Sequence, residues 1–270
     1  MEKFSRFDPR TITCGDTSAT VLTARGGLPV SFLWHGQEIF YYEDDTILDT
    51  SREVRGGIPI LFPACGRMKE GQYGAVPKHG FARGTAWDIV RQSEDTLVLK
   101  MEDSAKTRES FPHGFTFTQT YRVEEDKLTL SQEIKNTGKN DLPFSLGFHP
   151  YFKVDPAVST AQVPSDRFFD TTGEYSFDGK FAFKNDYDSV CTNTSGDTSV
   201  LETGLGTIVT VRGSEQFAYT VVWSPSGAQF ACIEPWTATP NALNTGDDII
   251  TLAPGASMTF AMEISVSKSV

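Results

Sequence analysis

Residues 115–134 have the sequence FTFTQTYRVEEDKLTLSQEI, which carries the clearest structural pattern in the chain. Apolar and polar residues alternate over residues 115–123 and again over residues 128–134, with four charged residues between the two runs. Alternation with a period of two predicts a strand with one buried face, and two such runs joined by a short polar turn predict a β-hairpin. The stretch therefore predicts an antiparallel sheet.

The same alternation recurs along the chain, whereas helical periodicity is scarce. Further strands are predicted at residues 96–101, 207–211, 219–223, 229–233 and 258–266. Residues 155–200, rich in Thr, Ser, Asp and Gly, predict strands with long loops, and residues 40–50 are the best candidate for a short helix. Such a pattern predicts an all-β fold of mostly antiparallel strands in stacked sheets or a barrel, with few short helices. We find no linker and predict a single domain over residues 1–270.

The composition limits the classes of function. A formal net charge of −11 argues against a nucleic-acid partner and against docking on an anionic membrane, because both need a basic face. No apolar run is long enough to span a bilayer. The N-terminal residues lack an apolar signal segment, and the four cysteines show no CxxC spacing. We therefore expect a cytoplasmic protein with reduced thiols and no zinc knuckle; the sequence carries no prediction of oligomeric state.

Three segments set titratable residues beside glycine or proline at predicted strand ends. They are residues 55–63 (RGGIPILFP) with 78–84 (KHGFARG), residues 146–152 (LGFHPYF) and residues 232–237 (CIEPWT). A polar group at a strand end can face a cleft while its neighbours anchor it in the core. These segments are therefore candidates for a functional site.

Each titratable candidate also has a structural interpretation. His149 could hold a proline-rich turn and His79 could cap one. Arg55 and Arg83 could be solvated charges at strand ends. Glu234 follows an apolar run, so it must be paired, hydrogen-bonded or functional.

The aromatic candidates and the absent motifs complete this survey. Trp236 and Phe81 are core residues by default, although aromatic faces also stack on the apolar face of a sugar ring. The sequence has no phosphate-binding glycine loop, no dinucleotide fingerprint and no local metal motif. We therefore predict no metal and no organic cofactor.

Taken in order, the segments resemble the aldose 1-epimerase (galactose mutarotase) superfamily, and within it the branch with hexose-6-phosphate mutarotase-like proteins. The resemblance runs from about residue 17 to residue 266. It implies a galactose-mutarotase-like β-sandwich, the so-called supersandwich. It also implies that His149 protonates the ring oxygen and that Glu234 takes the proton of the anomeric hydroxyl. Arg55 and His79 would contact the sugar, as would Asn241, at a position where relatives often have Asp.

The implied reaction needs these residue types. Mutarotation opens a cyclic hemiacetal and closes it on the other face, so one proton leaves O1 while another reaches O5. A carboxylate and an imidazolium on opposite sides of the C1–O5 unit can do both. Mutual attraction of the two is expected to widen the pH range in which Glu234 is ionised and His149 is protonated.

The substrate and two rival functions stay open at this level. Arg55, Arg67, Lys69, Lys78 and Arg83 could form a positive pocket for a sugar phosphate, or could be loop charges and ion-pair partners. A non-catalytic carbohydrate-binding protein would need only the arginines and aromatic residues. A glycoside hydrolase or lyase is the other rival, but a hydrolase normally requires two carboxylates, and the motifs supply one.

Overall fold

The predicted hairpin is present in the computed structural model, which describes residues 1–269. Its strands, Phe115–Glu124 and Lys127–Asn136, pair in antiparallel register, with Phe117 opposite Ile134. Burial alternates along both strands, because every second side chain faces the core and the others face water. Each buried Phe or Leu contributes about 1.5–3 kcal/mol through removal of apolar surface from water, so one face of the hairpin is fixed inward.

Strands account for most of the remaining regular structure. The strands in chain order are β1 (Pro9–Cys14), β2 (Thr17–Leu22), β3 (Leu28–Trp34), β4 (Gln37–Glu38), β5 (Ile60–Leu61), β6 (Asp88–Gln92), β7 (Thr96–Glu102), β8 (Phe115–Glu124), β9 (Lys127–Asn136), β10 (Leu142–Phe144), β11 (Gly147–Phe148), β12 (Tyr151–Lys153), β13 (Thr160–Gln162), β14 (Arg167–Phe169), β15 (Glu174–Ser176), β16 (Lys180–Ala182), β17 (Tyr187–Thr192), β18 (Thr198–Glu202), β19 (Thr207–Gly213), β20 (Tyr219–Ser224), β21 (Phe230–Trp236), β22 (Ile250–Leu252) and β23 (Ser257–Lys268). The helices are α1 (Asp44–Leu48), α2 (Ala105–Arg108) and α3 (Ala242–Thr245), with 3-10 turns at Glu2–Phe7 and Ala82–Gly84.

Two large sheets dominate the architecture. A nine-stranded sheet has the order β16-β13-β18-β19-β23-β9-β8-β7-β6, and an eight-stranded sheet has the order β15-β14-β17-β20-β21-β11-β5, with β12 also paired to β21. A four-stranded sheet, β1-β2-β3-β4, and the pair β10-β22 complete the set within residues 1–269. All paired strands in these sheets are antiparallel, as the sequence predicted.

One large apolar core joins the sheets. Phe117 and Leu130 enter it from the nine-stranded sheet, Phe152 and Ile233 from the eight-stranded sheet, and Phe32 from the four-stranded sheet. Inward faces of separate sheets therefore pack on one another, which is the arrangement of a β-sandwich. The single domain over residues 1–270 stays a prediction.

The structure confirms the predicted strands and refines their ends. The helix expected within residues 40–50 is present as α1. The segment 155–200 contains the short strands β13–β17 and the start of β18, separated by loops, as expected. Among the described residues, no helix is long and apolar enough to cross a membrane.

Candidate active site

Strand β21 presents Glu234 on the face of the eight-stranded sheet that points away from the main core. Its seven residues are all buried, yet alternate side chains face opposite ways. Ala231 and Ile233 belong to the main core, whereas Cys232 and Trp236 pack in small clusters on the other face. Glu234 lies between these two on the same side of the strand. Alternation along β21 thus places the carboxyl of Glu234 on the outer face of the sheet.

His149 reaches the same face because β11 packs very closely on β21. Gly147 lies opposite Trp236 in this antiparallel pair. A Cβ atom on Gly147 would lie 2.8 Å from Trp236 Cδ1 and 2.9 Å from the carbonyl oxygen of Pro235, so only glycine permits this approach. The His149 backbone N–H then donates to the carbonyl of Pro59 at 3.1 Å, which holds the turn between β11 and β12.

The two predicted catalytic residues are neighbours in this turn-and-strand arrangement. His149 Nδ1 lies 3.4 Å from Glu234 Oε1, without hydrogen-bond geometry. Trp236 Nε1 donates to the other carboxyl oxygen at 3.1 Å. The imidazole stacks flat on Tyr151, with ring centroids 4.8 Å apart and an interplanar angle of 7°. Each ring or carboxyl is thus oriented by an aromatic neighbour.

Burial moves the two pKa values in opposite directions. It lowers the pKa of His149 to about 3, helped by the positive charges of Arg83 and Lys78. It raises the pKa of Glu234 well above its ordinary value, against the hydrogen bond from Trp236. The expectation that mutual attraction widens the pH range of the ion pair is therefore wrong, because loss of hydration has the larger effect on both pKa values. The buried pair favours a neutral imidazole and a protonated carboxyl.

His79 lies beside the pair in a fixed protonation state. Its side chain is buried, and its ring centroid is 5.4 Å from that of His149. The backbone N–H of Gly66 donates to His79 Nδ1 at 3.2 Å, so the proton of the neutral ring belongs on Nε2. Burial lowers the pKa of His79 well below its ordinary value, which keeps the ring neutral. His79 therefore offers an N–H donor.

The loop that carries His79 depends on a backbone glycine. His79 has φ of 63° and Gly80 has φ of 72°. A Cβ atom on Gly80 would collide with the carbonyl of Phe62. The Lys-His-Gly-Phe segment of the sequence is thus a tight loop held against the core by close backbone contact.

The cleft around these residues has a volume of about 460 Å³ and a basic wall. Its lining residues with ionisable or aromatic side chains are Glu53, Arg55, Arg67, Lys78, His79, Arg83, His149, Tyr151, Asp188, Trp223, Glu234 and Trp236. The guanidinium of Arg55 lies over the ring of Trp223 at 5.9 Å. Four cations therefore face one cleft in a chain whose net charge is −11.

Six of the eight residues predicted from the sequence converge here, and two do not. Phe81 packs against the main core and lines a neighbouring cavity, which shares Lys78 and Arg83 with the cleft. Asn241 does not line the cleft either; its Oδ1 accepts hydrogen bonds from the backbone N–H of Lys69 and from Asn244 Nδ2, both at 2.9 Å. Phe81 thus anchors one wall loop, and Asn241 braces another.

Trp223, Asp188 and Glu53 are among the cleft residues that sequence reasoning did not single out. Trp223 ends a predicted strand, and alternation could have placed it on the outer face. Asp188 and Glu53 lie in segments without a motif, and only the fold brings them to Glu234. Glu53 and Asp188 thus add two carboxylates to the cleft beside Glu234, and both lie outside the sequence motifs.

One group of potential metal ligands converges among the residues that the structure describes. Donor atoms of His149, Cys232 and Glu234 lie within 4.8 Å of one another. Burial raises the pKa of the Cys232 thiol well above its ordinary value, so the sulfur is a neutral thiol and a poor ligand.

Comparison with known proteins decides the family. The family model described as "Aldose 1-epimerase" matches residues 16–265. The chain belongs to the aldose 1-epimerase family. The crystal structure of the Slr1438 protein from Synechocystis sp. PCC 6803 superposes on this chain with a TM-score of 0.91 and a sequence identity of 30%. The match covers 97% of this chain and 96% of that one. It confirms the fold expected from the resemblance.

Solved structures with lower sequence identity share the fold. The crystal structure of a galactose mutarotase-like protein from Lactobacillus casei ATCC 334 is 23% identical with a TM-score of 0.82, and the match covers 96% of this chain and 100% of that one. This confirms the galactose-mutarotase-like sandwich.

Curated relatives carry a name that specifies a phosphorylated sugar. An Escherichia coli K12 protein named "Putative glucose-6-phosphate 1-epimerase" is 27% identical over 201 residues, which is 71% of this chain and 65% of that protein. Proteins with the same name from Salmonella typhimurium and Cenchrus ciliaris match over 46% and 39% of their length. The chain thus spans less than two thirds of each of these three relatives.

Proposed function

We propose that the protein is an aldose 1-epimerase that interconverts the α and β anomers of a hexose, with His149 as general acid and Glu234 as general base. The observation that carries this proposal is the 3.4 Å approach of His149 Nδ1 to Glu234 Oε1 inside a cleft large enough for a hexose. Family membership supports the same reaction.

The pair needs one shared proton to catalyse ring opening. When Glu234 accepts the proton of the O1 hydroxyl, His149 delivers a proton to O5, and the ring opens. The state that results has a protonated carboxyl and a neutral imidazole, which is the state that burial favours. Rotation about the C1–C2 bond and the reverse transfers then close the ring on the other face of C1. Each transfer group contributes roughly 10²–10⁴-fold to the rate.

The other wall residues are proposed to hold the sugar. The Nε2–H group of His79 donates towards the ring oxygen, Trp236 offers an indole face for the sugar ring, and Arg55 and Arg83 contact hydroxyl groups or a substituent. Phe81 and Asn241 act on the sugar through the loops that they support. A reducing, cytoplasmic location is part of the proposal and is supported by four unpaired cysteines.

A hexose 6-phosphate is the second candidate substrate. The cationic side chains of Arg55, Arg67, Lys78 and Arg83 in one cleft favour an anion, since guanidinium groups match phosphate oxygens. The names of the three curated relatives point the same way.

Proton NMR exchange between anomers tests the proposal directly. Glucose, galactose and glucose 6-phosphate are compared in parallel, and we expect the protein to accelerate exchange of at least one. Exchange of the phosphate ester alone would select the phosphate candidate. If no sugar exchanges faster but sugars still bind, the protein is a carbohydrate-binding protein; release of reducing ends from a disaccharide would instead indicate a hydrolase.

A further inference from the structure

An internal carboxylate already occupies part of the basic wall of the cleft. Glu53 Oε1 lies 3.2 Å from Arg83 Nη2, and Glu53 Oε2 lies 3.6 Å from Lys78 Nζ. Glu53 lies in the loop between α1 and β5, two residues before Arg55, and it lines the cleft. One carboxylate thus bridges two of the four cations.

The remaining cations have no such partner. Within residues 1–269, Arg55 and Arg67 form no ion pair with a carboxylate. Arg83 is well placed for binding because its side chain is only 15% exposed and is held by a hydrogen bond from Nη2 to the carbonyl of Lys78 at 2.9 Å. Two of the four cations in the wall are therefore available to bind an anion, and Glu53 neutralises the other two.

We propose that Glu53 is a specificity-determining residue, which weakens binding of phosphorylated sugars relative to neutral sugars by neutralising Lys78 and Arg83. The inference rests on the proposed function, because it concerns the substrate of the same cleft. A phosphate placed against Arg83 meets the negative charge of Glu53 or must displace it, and like charges facing each other in a binding site oppose binding. A neutral hexose meets no such repulsion.

The charge state of Glu53 fits this role. Partial burial raises its pKa, but the charges of Arg83 and Lys78 outweigh that effect and lower the pKa below its ordinary value. Glu53 is therefore ionised at neutral pH. Its side chain is 56% exposed, so water and salt screen part of its charge, and we expect an effect of about tenfold rather than thousands.

The test compares glucose with glucose 6-phosphate on the Glu53→Gln variant, which keeps the shape and removes the charge. Calorimetry should show that the variant binds glucose 6-phosphate about tenfold more tightly, while its affinity for glucose stays within about twofold. The NMR exchange assay should show the same gain as a lower KM for the phosphate ester with little change in kcat. Inorganic phosphate should inhibit glucose turnover about tenfold more strongly in the variant.

Two controls separate the charge from other causes. Glu53→Asp keeps the charge and should retain the preference of the unmodified protein. Asp45→Asn removes an exposed carboxylate that lies 2.7 Å from Arg52, outside the cleft. This variant should change the affinity for neither glucose nor glucose 6-phosphate. An equal change for both sugars, or none, in Glu53→Gln overturns the proposal. Because calorimetry needs no turnover, absence of catalysis would refute the proposed function without deciding the role of Glu53.

Discussion

His149 and Glu234 are the proposed acid and base, and their surroundings set the properties of the pair. Each belongs to a residue type that is common in ordinary turns and strand ends, and the motifs predicted both from the sequence. The sequence could not predict the direction of their pKa shifts, because these depend on how deeply the fold buries the two side chains. Likewise, the tautomer of His79 depends on a backbone N–H thirteen residues away.

Replacement of Glu234 by Gln tests the base. We expect the rate of anomer exchange to fall by about 10²–10⁴-fold, because an amide cannot accept the O1 proton. Sugar affinity and melting temperature should change little, since Gln can still accept the hydrogen bond from Trp236 Nε1. NMR exchange, calorimetry and thermal melting measure the three quantities.

His149→Asn is the companion variant for the acid. A similar loss of rate with an unchanged melting temperature supports the proton-transfer role. Loss of folding would favour the structural interpretation of His149. An exchange rate equal to that of the unmodified protein in either variant contradicts the assignment.

The dependence of the rate on pH follows from the directions of the two shifts. In the proposed mechanism the pair holds one proton in total, so the rate should fall when the pair gains a second proton or when Glu234 loses the shared one. The lowered pKa of His149, about 3, predicts no loss of kcat/KM between about pH 6.5 and pH 5, where an ordinary imidazole titrates. The raised pKa of Glu234 predicts a decline on the alkaline side. A decline centred near the pKa of a free imidazole would contradict this picture.

At the level of elements, β21 and β11 fix the distance between Glu234 and His149, the proposed base and acid. The sequence predicted the strand at residues 229–233, and the structure extends it to Trp236. Alternation is a local pattern, so the long strands β8, β9 and β23 were predictable. The three-residue strands β13–β16 were not individually predictable, because three residues are too few to show a period.

Gly147→Ala should separate these two strands. The added methyl group would meet Trp236 Cδ1 at 2.8 Å and the carbonyl oxygen of Pro235 at 2.9 Å. We expect a loss of about 1–3 kcal/mol in the free energy of unfolding, as for other overpacked sites, together with a lower exchange rate. Denaturant unfolding and the NMR assay measure these changes.

Gly84→Ala is the matched control for that substitution. Nothing lies within 4 Å of a Cβ atom there, and no positive φ is recorded. Its stability should stay within about 0.5 kcal/mol of the unmodified protein. Equal stability of the two variants would show that the Gly147 contact does not constrain the strands.

Across the protein, the distribution of charged residues determines the charge of the cleft more than the net charge does. The chain has 24 basic and 35 acidic residues, yet four cations meet in the cleft. The sequence showed the cluster of basic residues but not its meeting with Asp188, which arrives from a strand more than a hundred residues later. The sign of a single site could therefore not be read from the net charge.

If the substrate carries a phosphate, its KM should depend on salt concentration, because the cations of the cleft attract the phosphate. We expect the KM for glucose 6-phosphate to rise several-fold between about 0.05 M and about 0.5 M NaCl, because screening weakens attraction to the cationic wall. The KM for glucose should not change over the same range. Equal salt dependence for the two sugars would show that the wall cations do not act on the substrate.

The position of β21 has a consequence for how the protein loses activity. β21 pairs with β20 along one edge and with β11 and β12 along the other, and all its residues are buried. Amide hydrogens in such a strand exchange with deuterium only when the whole sheet opens. We therefore expect the carboxyl of Glu234, the proposed base, to lie in the part of the fold that opens last, so that fraying of the outer strands leaves it in place. Thermal inactivation should then coincide with global unfolding.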